Sequence, residues 1–288
     1  MKYLILLCLL IPLPAISDSS VWRVSKSGNE LFIGGTIHVL SPKDYPLPNE
    51  FEQAYNQAEI LVLETDMDAL SNPKIQMQLA KKMRYGDSGS LKNELKAETY
   101  QLLTDYLNSQ KIPIAVFNSF KPSMVIITLT MLALDNLGMA GTGVDLFFNQ
   151  KASAENKKRD YLESVEKQIS LLENMAKGHE DDLILSTLND LNELSETMTK
   201  LKSAWRKGDL AQLEEMGISS MRHEYPALYR FILVERNNNW IPKLEKLLAT
   251  TEKELVLVGS LHLVGKEGVL EQLKARGYQV TRFKAKKR

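Results

Sequence analysis

Two segments far apart in the chain carry the same small pattern. Phe32-Ile33-Gly34-Gly35-Thr36-Ile37-His38 and Leu257-Val258-Gly259-Ser260-Leu261-His262 each run from apolar residues through a glycine to a histidine three positions on. The chain has only 4 histidines, so two of them share one setting. Ligand sites in α/β sheets gather at strand ends, and the repeat therefore predicts two imidazoles at one site. A third strand-like run, Ile60-Leu61-Val62-Leu63, ends in Glu64. A carboxylate there is costly to bury unless a cation, a donor or water meets it. Neutral imidazole and carboxylate are ligands of first-row divalent ions, so His38, His262 and Glu64 form a predicted metal set suited to manganese, cobalt or zinc, and also to non-haem iron. The other reading is structural, with each histidine hydrogen-bonded where the chain leaves the sheet. Gly35 and Gly259 would let the backbone turn sharply and a ligand approach. Thr36 and Ser260, at matching positions, would either hydrogen-bond that ligand or cap the turn.

Further residues have the chemistry to assist. Glu163 closes the run Arg159-Asp160-Tyr161-Leu162 and would act as general base, a catalytic role open to Glu64 as well, or as a further ligand, or pair with a lysine. Arg236 stays charged and presents several donors, which suits a developing oxyanion, with Asn237 orienting it. Its alternative is an ion pair with Glu235 or Asp145. Asp145, in the turn Gly141-Thr142-Gly143-Val144-Asp145, is expected in a supporting shell or as a helix N-cap. His179 and His223 sit in polar stretches and are expected at the surface or in structural roles.

The elements that must position these residues are readable from periodicity. Val21–Val24 and Leu31–Gly35 around Ser27-Gly28-Asn29 predict a hairpin. Pro48 opens a helix with Phe51, Ala54, Tyr55 and Ala58 on one face. Helical spacing runs from Pro73 to Ser109, broken by Gly86-Asp87-Ser88-Gly89, and resumes at Lys121-Pro122. Ser164 is placed to cap a helix from Val165. Ile184, Leu188, Leu191, Leu194, Met198, Leu201 and Trp205 form the stripe of a long amphipathic helix, read as a packing face rather than a partner groove. Further helices are expected from Asp209 and over Arg230–Leu248, then a strand over Glu254–Gly259, a helix over Gly265–Ala275 and a last strand over Gly277–Thr281. The expected fold is α/β: one domain over 18–283, a central sheet with flanking helices and a large helical insertion over about 73–250, and a basic tail over 284–288.

Composition bounds the function. Met1 to Ser17 reads as a secretory signal, with Lys2, the apolar stretch Leu4–Leu13 and the small-x-small site Ala15-Ile16-Ser17. The single cysteine, Cys8, falls inside it, so disulfides, thiolate metal ligation and thiol catalysis are excluded after cleavage. Removing Lys2 from 36 basic residues leaves 35 against 36 acidic, which argues against nucleic acid as partner. An exported, periplasmic protein with no membrane span after cleavage is expected.

Trp22-Arg23-Val24, Gly35-Thr36-Ile37-His38, Glu64-Thr65-Asp66, Gly143-Val144-Asp145, Leu162-Glu163 with Gln168, Glu235-Arg236-Asn237 and Gly259-Ser260-Leu261-His262-Leu263-Val264-Gly265 occur in an order that resembles the TraB/PrgY/GumN family, which includes the TIKI proteins. The resemblance implies an α/β fold related to the erythromycin-esterase and ChaN-like group. By similarity to TIKI it implies metal-dependent peptide hydrolysis through His38, His262 and Glu64. The expected function is an exported metal-dependent hydrolase of peptides or proteins. The alternative is a non-catalytic protein sequestering a peptide, a metal complex or a haem-like ligand in the same cleft.

Overall fold

A computed structural model describes residues 19–86 and 88–286. The expected signal at 1–17, Cys8 included, lies outside these residues. Eight strands occur among them: β1 Val21–Lys26, β2 Asn29–Thr36, β3 Val39–Leu40, β4 Ile60–Leu63, β5 Gly141–Thr142, β6 Lys158–Tyr161, β7 Glu254–Gly259 and β8 Gln279–Arg282. Six of them build a sheet in the order β6-β4-β7-β2-β1-β8, and β3 and β5 form a separate two-stranded ladder.

The contiguous apolar runs occupy the middle of the sheet because both of its faces are covered. Every residue of β4 is buried. Side chains alternate along the strands, so Phe32, Leu61, Leu63, Leu255 and Leu257 pack with Phe51, Tyr55, Phe148 and Trp205 on one face. Ile33, Val62, Val256 and Val258 pack with Trp240, Ile241, Leu244 and Leu273 on the other. The result is a mixed α/β architecture, a six-stranded sheet between helical layers. A separate cluster, with Leu103, Leu107, Val125, Leu129 and Ile184, joins the helices Ala97–Ser109, Pro122–Asn136 and Glu180–Lys207.

Four strands run parallel, β6 beside β4, β4 beside β7 and β7 beside β2. Their C-terminal ends therefore lie along one edge. Leu63 stands opposite both Leu257 and Tyr161, and Thr36 opposite Gly259. That register sets His38, Glu64, Glu163 and His262 one to three residues beyond four neighbouring strand ends.

Helices make up most of 67–154, which β5 interrupts, and of 165–247, with β6 between the two stretches. The helix Glu180–Lys207 shows what the long stripe does. Ile184 enters the outlying helical cluster, and Trp205 is fully buried against the sheet, its indole N–H donating to Gly35 O at 2.6 Å. Within the basic tail, Lys286 exchanges backbone hydrogen bonds with the side chain of Gln53. No helix among the described residues is long and apolar enough to cross a membrane.

Glu254, the first residue of β7, is buried with neither carboxylate oxygen hydrogen-bonded. Burial, helped by Glu252 and Glu59, pushes its pKa up from 4.5 to about 7. The folded chain thus holds this proton more tightly than the unfolded chain does. Its contribution to stability is full below pH 4.5, declines as pH rises to about 7, and stays lost above. Glu254→Gln should stabilise the protein at pH 8 by up to about 3 kcal/mol, at about 1.4 kcal/mol per pH unit, and so raise its melting temperature there. It should also flatten the pH dependence between 5 and 7. An unchanged slope in that window would show that Glu254 is not its source.

Candidate active site

The backbone builds the site before any side chain acts. The β4–β6 pairing continues past both strands, with Leu162 N–H donating to Leu63 O at 2.9 Å and Glu163 N–H donating to Glu64 O at 2.8 Å. Glu64 and Glu163 are thereby forced side by side. On the next strand, Gly259 N–H donates to Glu64 Oε1 at 2.6 Å, tying that carboxylate to the second Gly-x-x-His turn.

Two like charges held this close need a cation between them, and Arg236 supplies it. It sits on the helix Glu235–Leu247 and is 5% exposed. Its terminal nitrogen Nη2 lies 2.5 Å from both Glu64 Oε2 and Glu163 Oε1, and its Nε donates to Glu163 as well. The remaining nitrogen, Nη1, donates to His262 Nε2 at 3.0 Å and to Ile232 O. All three guanidinium nitrogens are engaged. The ring of Trp240, one turn along the same helix, lies 4.7 Å beneath the guanidinium and donates its N–H to Glu163. Gln168 Nε2 adds a 2.6 Å bond to Glu163.

The two matched histidines have opposite environments. His262 is 3% exposed and stacks at 4.4 Å on Trp240. Its Nδ1 lies 2.6 Å from Asn237 Oδ1, while Asn237 Nδ2 donates to Glu267 O and His262 O. That pattern puts the proton on Nδ1 and leaves Nε2 to accept from Arg236. Burial pushes the His262 pKa down to about 3, so it is neutral at physiological pH. Burial works to raise the Glu64 pKa, but positive neighbours and the Gly259 N–H outweigh it and hold Glu64 well below the usual carboxylate range. With His262 neutral, Arg236 does most of this.

His38 faces outward, with its side chain 65% exposed. Its Nδ1 lies 2.7 Å from Asp145 Oδ2, so Nδ1–H donates and Nε2 is turned to the cleft. Asp145 raises its pKa to about 9, with Glu64 contributing. The pairing depends on Gly143. Val144 N–H donates to Ile37 O, β3 pairs with β5, and Gly143 lies flat on the backbone of His38, where an added Cβ would stand 2.2 Å from the His38 carbonyl oxygen. Gly143 holds the N-cap position of the helix Val144–Ala154, and Asp145 occupies its first turn with its carboxylate directed to His38.

The structure therefore brings together His38, Glu64, Asp145, Glu163, Arg236, Asn237 and His262. Thr36 lines the cleft, and Ser260 Oγ donates to Thr36 O at 2.8 Å across the two matched turns. Gly35 packs against Ser260 and Leu263, and Gly259 leaves room beside Glu64 Oε1 and His38 Nε2. His179 and His223 lie elsewhere, His223 bonding Ser219 O one turn back. Sequence reasoning gave no role to Trp240, although an aromatic four residues after Arg236 on one helix was a readable signal.

For a divalent metal, the arrangement does not fit the expected His38, His262 and Glu64 set. Both His262 nitrogens are hydrogen-bonded, and Glu64 Oε2 and His262 Nε2 share one guanidinium. His38 Nε2 and Glu64 Oε1 remain, fewer than the three protein ligands of an ordinary catalytic zinc site. Nor do the described residues contain any cluster of three or more side chains arranged to hold a metal ion.

Two cavities flank His38 and Glu64. One, of about 440 Å³, reaches Thr65, Asp145 and Gln168; the other, of about 430 Å³, extends between Leu, Met and Ile side chains. The chain is 25% identical over 253 residues to YbaP of Escherichia coli K12, an uncharacterized protein, covering 87% of this chain and 90% of that one. It is 25% identical over 241 residues to YbaP of Shigella flexneri, also uncharacterized, covering 83% and 85%. No solved structure matches the chain. The sequence pattern of the TraB/PrgY/gumN family matches residues 20–282, which take in every strand and every residue of the centre, and the chain belongs to that family.

Proposed function

We propose that the protein is a hydrolase of carbonyl bonds, amide or ester, with His38 as the proton-transfer residue. The observation that carries this reading is His38 itself. Its Nδ1–H is fixed by Asp145 at 2.7 Å and its Nε2 opens into the cleft. A water held at Nε2 gives up its proton as it attacks the carbonyl, and the same nitrogen returns a proton to the leaving group. Glu64, Arg236 and Glu163 form the rigid floor that keeps the strand ends in register beneath the reacting atoms. No step uses a metal, because Arg236 engages both His262 Nε2 and Glu64 Oε2.

Only neutral His38 accepts a proton. With its pKa raised to about 9, kcat/KM for a peptide or ester substrate should climb as pH rises from 6 and level off near that value. Asp145→Asn should move the inflection down toward the ordinary 6.5 and lower the plateau, since the ring loses both its charge partner and its orientation. A profile that is flat from pH 6 to 9, or an inflection unmoved in Asp145→Asn, would remove His38 from the chemistry.

The apolar cavity favours a second reading, retention of a ligand without turnover. It is separated from the first by incubating ligand with protein and looking for product. The proposal extends to export and to kinship with the erythromycin-esterase and ChaN-like folds, supported by the apolar N-terminal sequence and by paired histidines at parallel strand ends. Amino-terminal sequencing of the protein from a periplasmic fraction tests the first, and an experimental structure of the chain tests the second.

A further inference from the structure

The proton transfer at His38 leaves one arm of the cleft unused. The cavity of about 430 Å³ is walled by Leu171, Met175, Met198, Leu201, Ile232 and Leu261, drawn from four separate stretches of chain. Its polar residues lie at one end, beside His38 and Glu64. There Arg236, His262 and Ser260 spend their hydrogen bonds on protein partners. Thr36 is the exception. It is 3% exposed and lines both cavities, and its hydroxyl, enclosed by protein, has no partner among the described residues. A buried hydroxyl left unbonded is destabilising and marks a place where something else completes the bond. No phenylalanine, tyrosine or tryptophan among the described residues lines the arm, and its walls are flexible leucine, isoleucine and methionine, which adapt to an aliphatic chain.

We propose that this arm takes the aliphatic chain of the substrate, while the Thr36 side chain turns about its Cα–Cβ bond so that Oγ–H donates to the oxygen of the carbonyl group that carries that chain. The assignment rests on the hydrolytic reading of His38 for its reaction, though not for its binding. An aliphatic chain on a carbonyl is shared by acyl groups and by leucine-like side chains, and the test separates them.

Calorimetry of the wild-type protein with octanamide and acetamide reads binding alone. Octanamide should bind at least about tenfold more tightly. Thr36→Val, which keeps the shape and removes the hydroxyl, should weaken octanamide by about tenfold while leaving the melting temperature unchanged or raised. A merely structural threonine would show the reverse, lower stability with unchanged affinity, and would overturn the role of Thr36. Met198→Trp, which fills the arm, should abolish the preference for octanamide.

Turnover is read with p-nitrophenyl acetate and octanoate and with glycyl and leucyl p-nitroanilides. A preference for octanoate assigns the arm to an acyl chain, and a preference for the leucyl compound assigns it to a side chain. If octanamide binds and no substrate is cleaved, the arm stands and the hydrolytic reading falls. If cleavage occurs without preference for the longer chains and octanamide does not bind, the arm is overturned and the hydrolytic reading stands.

Discussion

Replacing Arg236 with methionine should destabilise the protein by about 3–5 kcal/mol, the range for removing one partner of a buried ion pair. The loss does not come from packing, because methionine fills most of the arginine stem. It comes from Glu64 and Glu163, which the backbone ladder keeps adjacent whether or not a cation separates them. Adding Glu163→Gln to the methionine variant should therefore recover part of the loss, whereas in wild type the same change should be destabilising. Denaturant melts of the four proteins measure this coupling, and additive effects would contradict it.

The same substitution tests what the centre can bind. Without the guanidinium, His262 Nε2, Glu64 and Glu163 are three donors with no shared partner. Zinc uptake by Arg236→Met should then rise to about one ion per chain, while the wild type takes up none stoichiometrically. Stoichiometric zinc in the wild type, lost in His262→Ala, would show that Arg236 yields its place to a metal.

The second large effect is expected at Gly143, far from His38 in sequence. An alanine Cβ there would lie 2.2–2.6 Å from the carbonyl oxygen, carbonyl carbon and Cα of His38. These are backbone atoms and cannot rotate away, so the turn carrying His38 must shift. Overpacking of this kind costs about 1–3 kcal/mol of stability. The larger loss should be catalytic, since misplacing a reacting group by about 1 Å reduces rates by about 100-fold. A Gly143→Ala protein that melts only a few degrees lower yet loses about 100-fold in kcat/KM would fit this account. Unchanged kcat/KM would mean that the His38–Asp145 pair is not positioned by this contact.

Much of the framework was legible in the sequence because it depends on local pattern. Ile60–Leu63 and Glu254–Gly259 read as buried strands because a sheet covered on both faces selects contiguous apolar residues. The Ser164 cap is equally local, with Ser164 Oγ accepting from Lys167 N–H. The expected helix over Arg230–Leu248 is found as Pro226–Tyr229, a wider π-type turn over Arg230–Val234, and Glu235–Leu247. That turn leaves no mark on a 3.6-residue periodicity, although it ends two residues before Arg236. The long stripe proved harder to apportion. Its Met198 and Leu201 line the cavity, while Ile184 and Trp205 are core, because one helix crosses from the outlying cluster to the sheet.

The sequence by itself determined that two Gly-x-x-His turns and a strand-end glutamate would meet, since parallel strands carry their C-terminal residues to one edge. It could not determine which atoms those residues would offer. That was decided by the tertiary structure, through contacts between residues distant in the chain. Gly143 brings Asp145 to His38, Asn237 fixes the proton of His262, and Arg236 takes the space between two carboxylates and an imidazole. The physical reason is electrostatic. Buried acids of like charge require a cation, and periodicity records that they are buried without recording which cation the fold delivers.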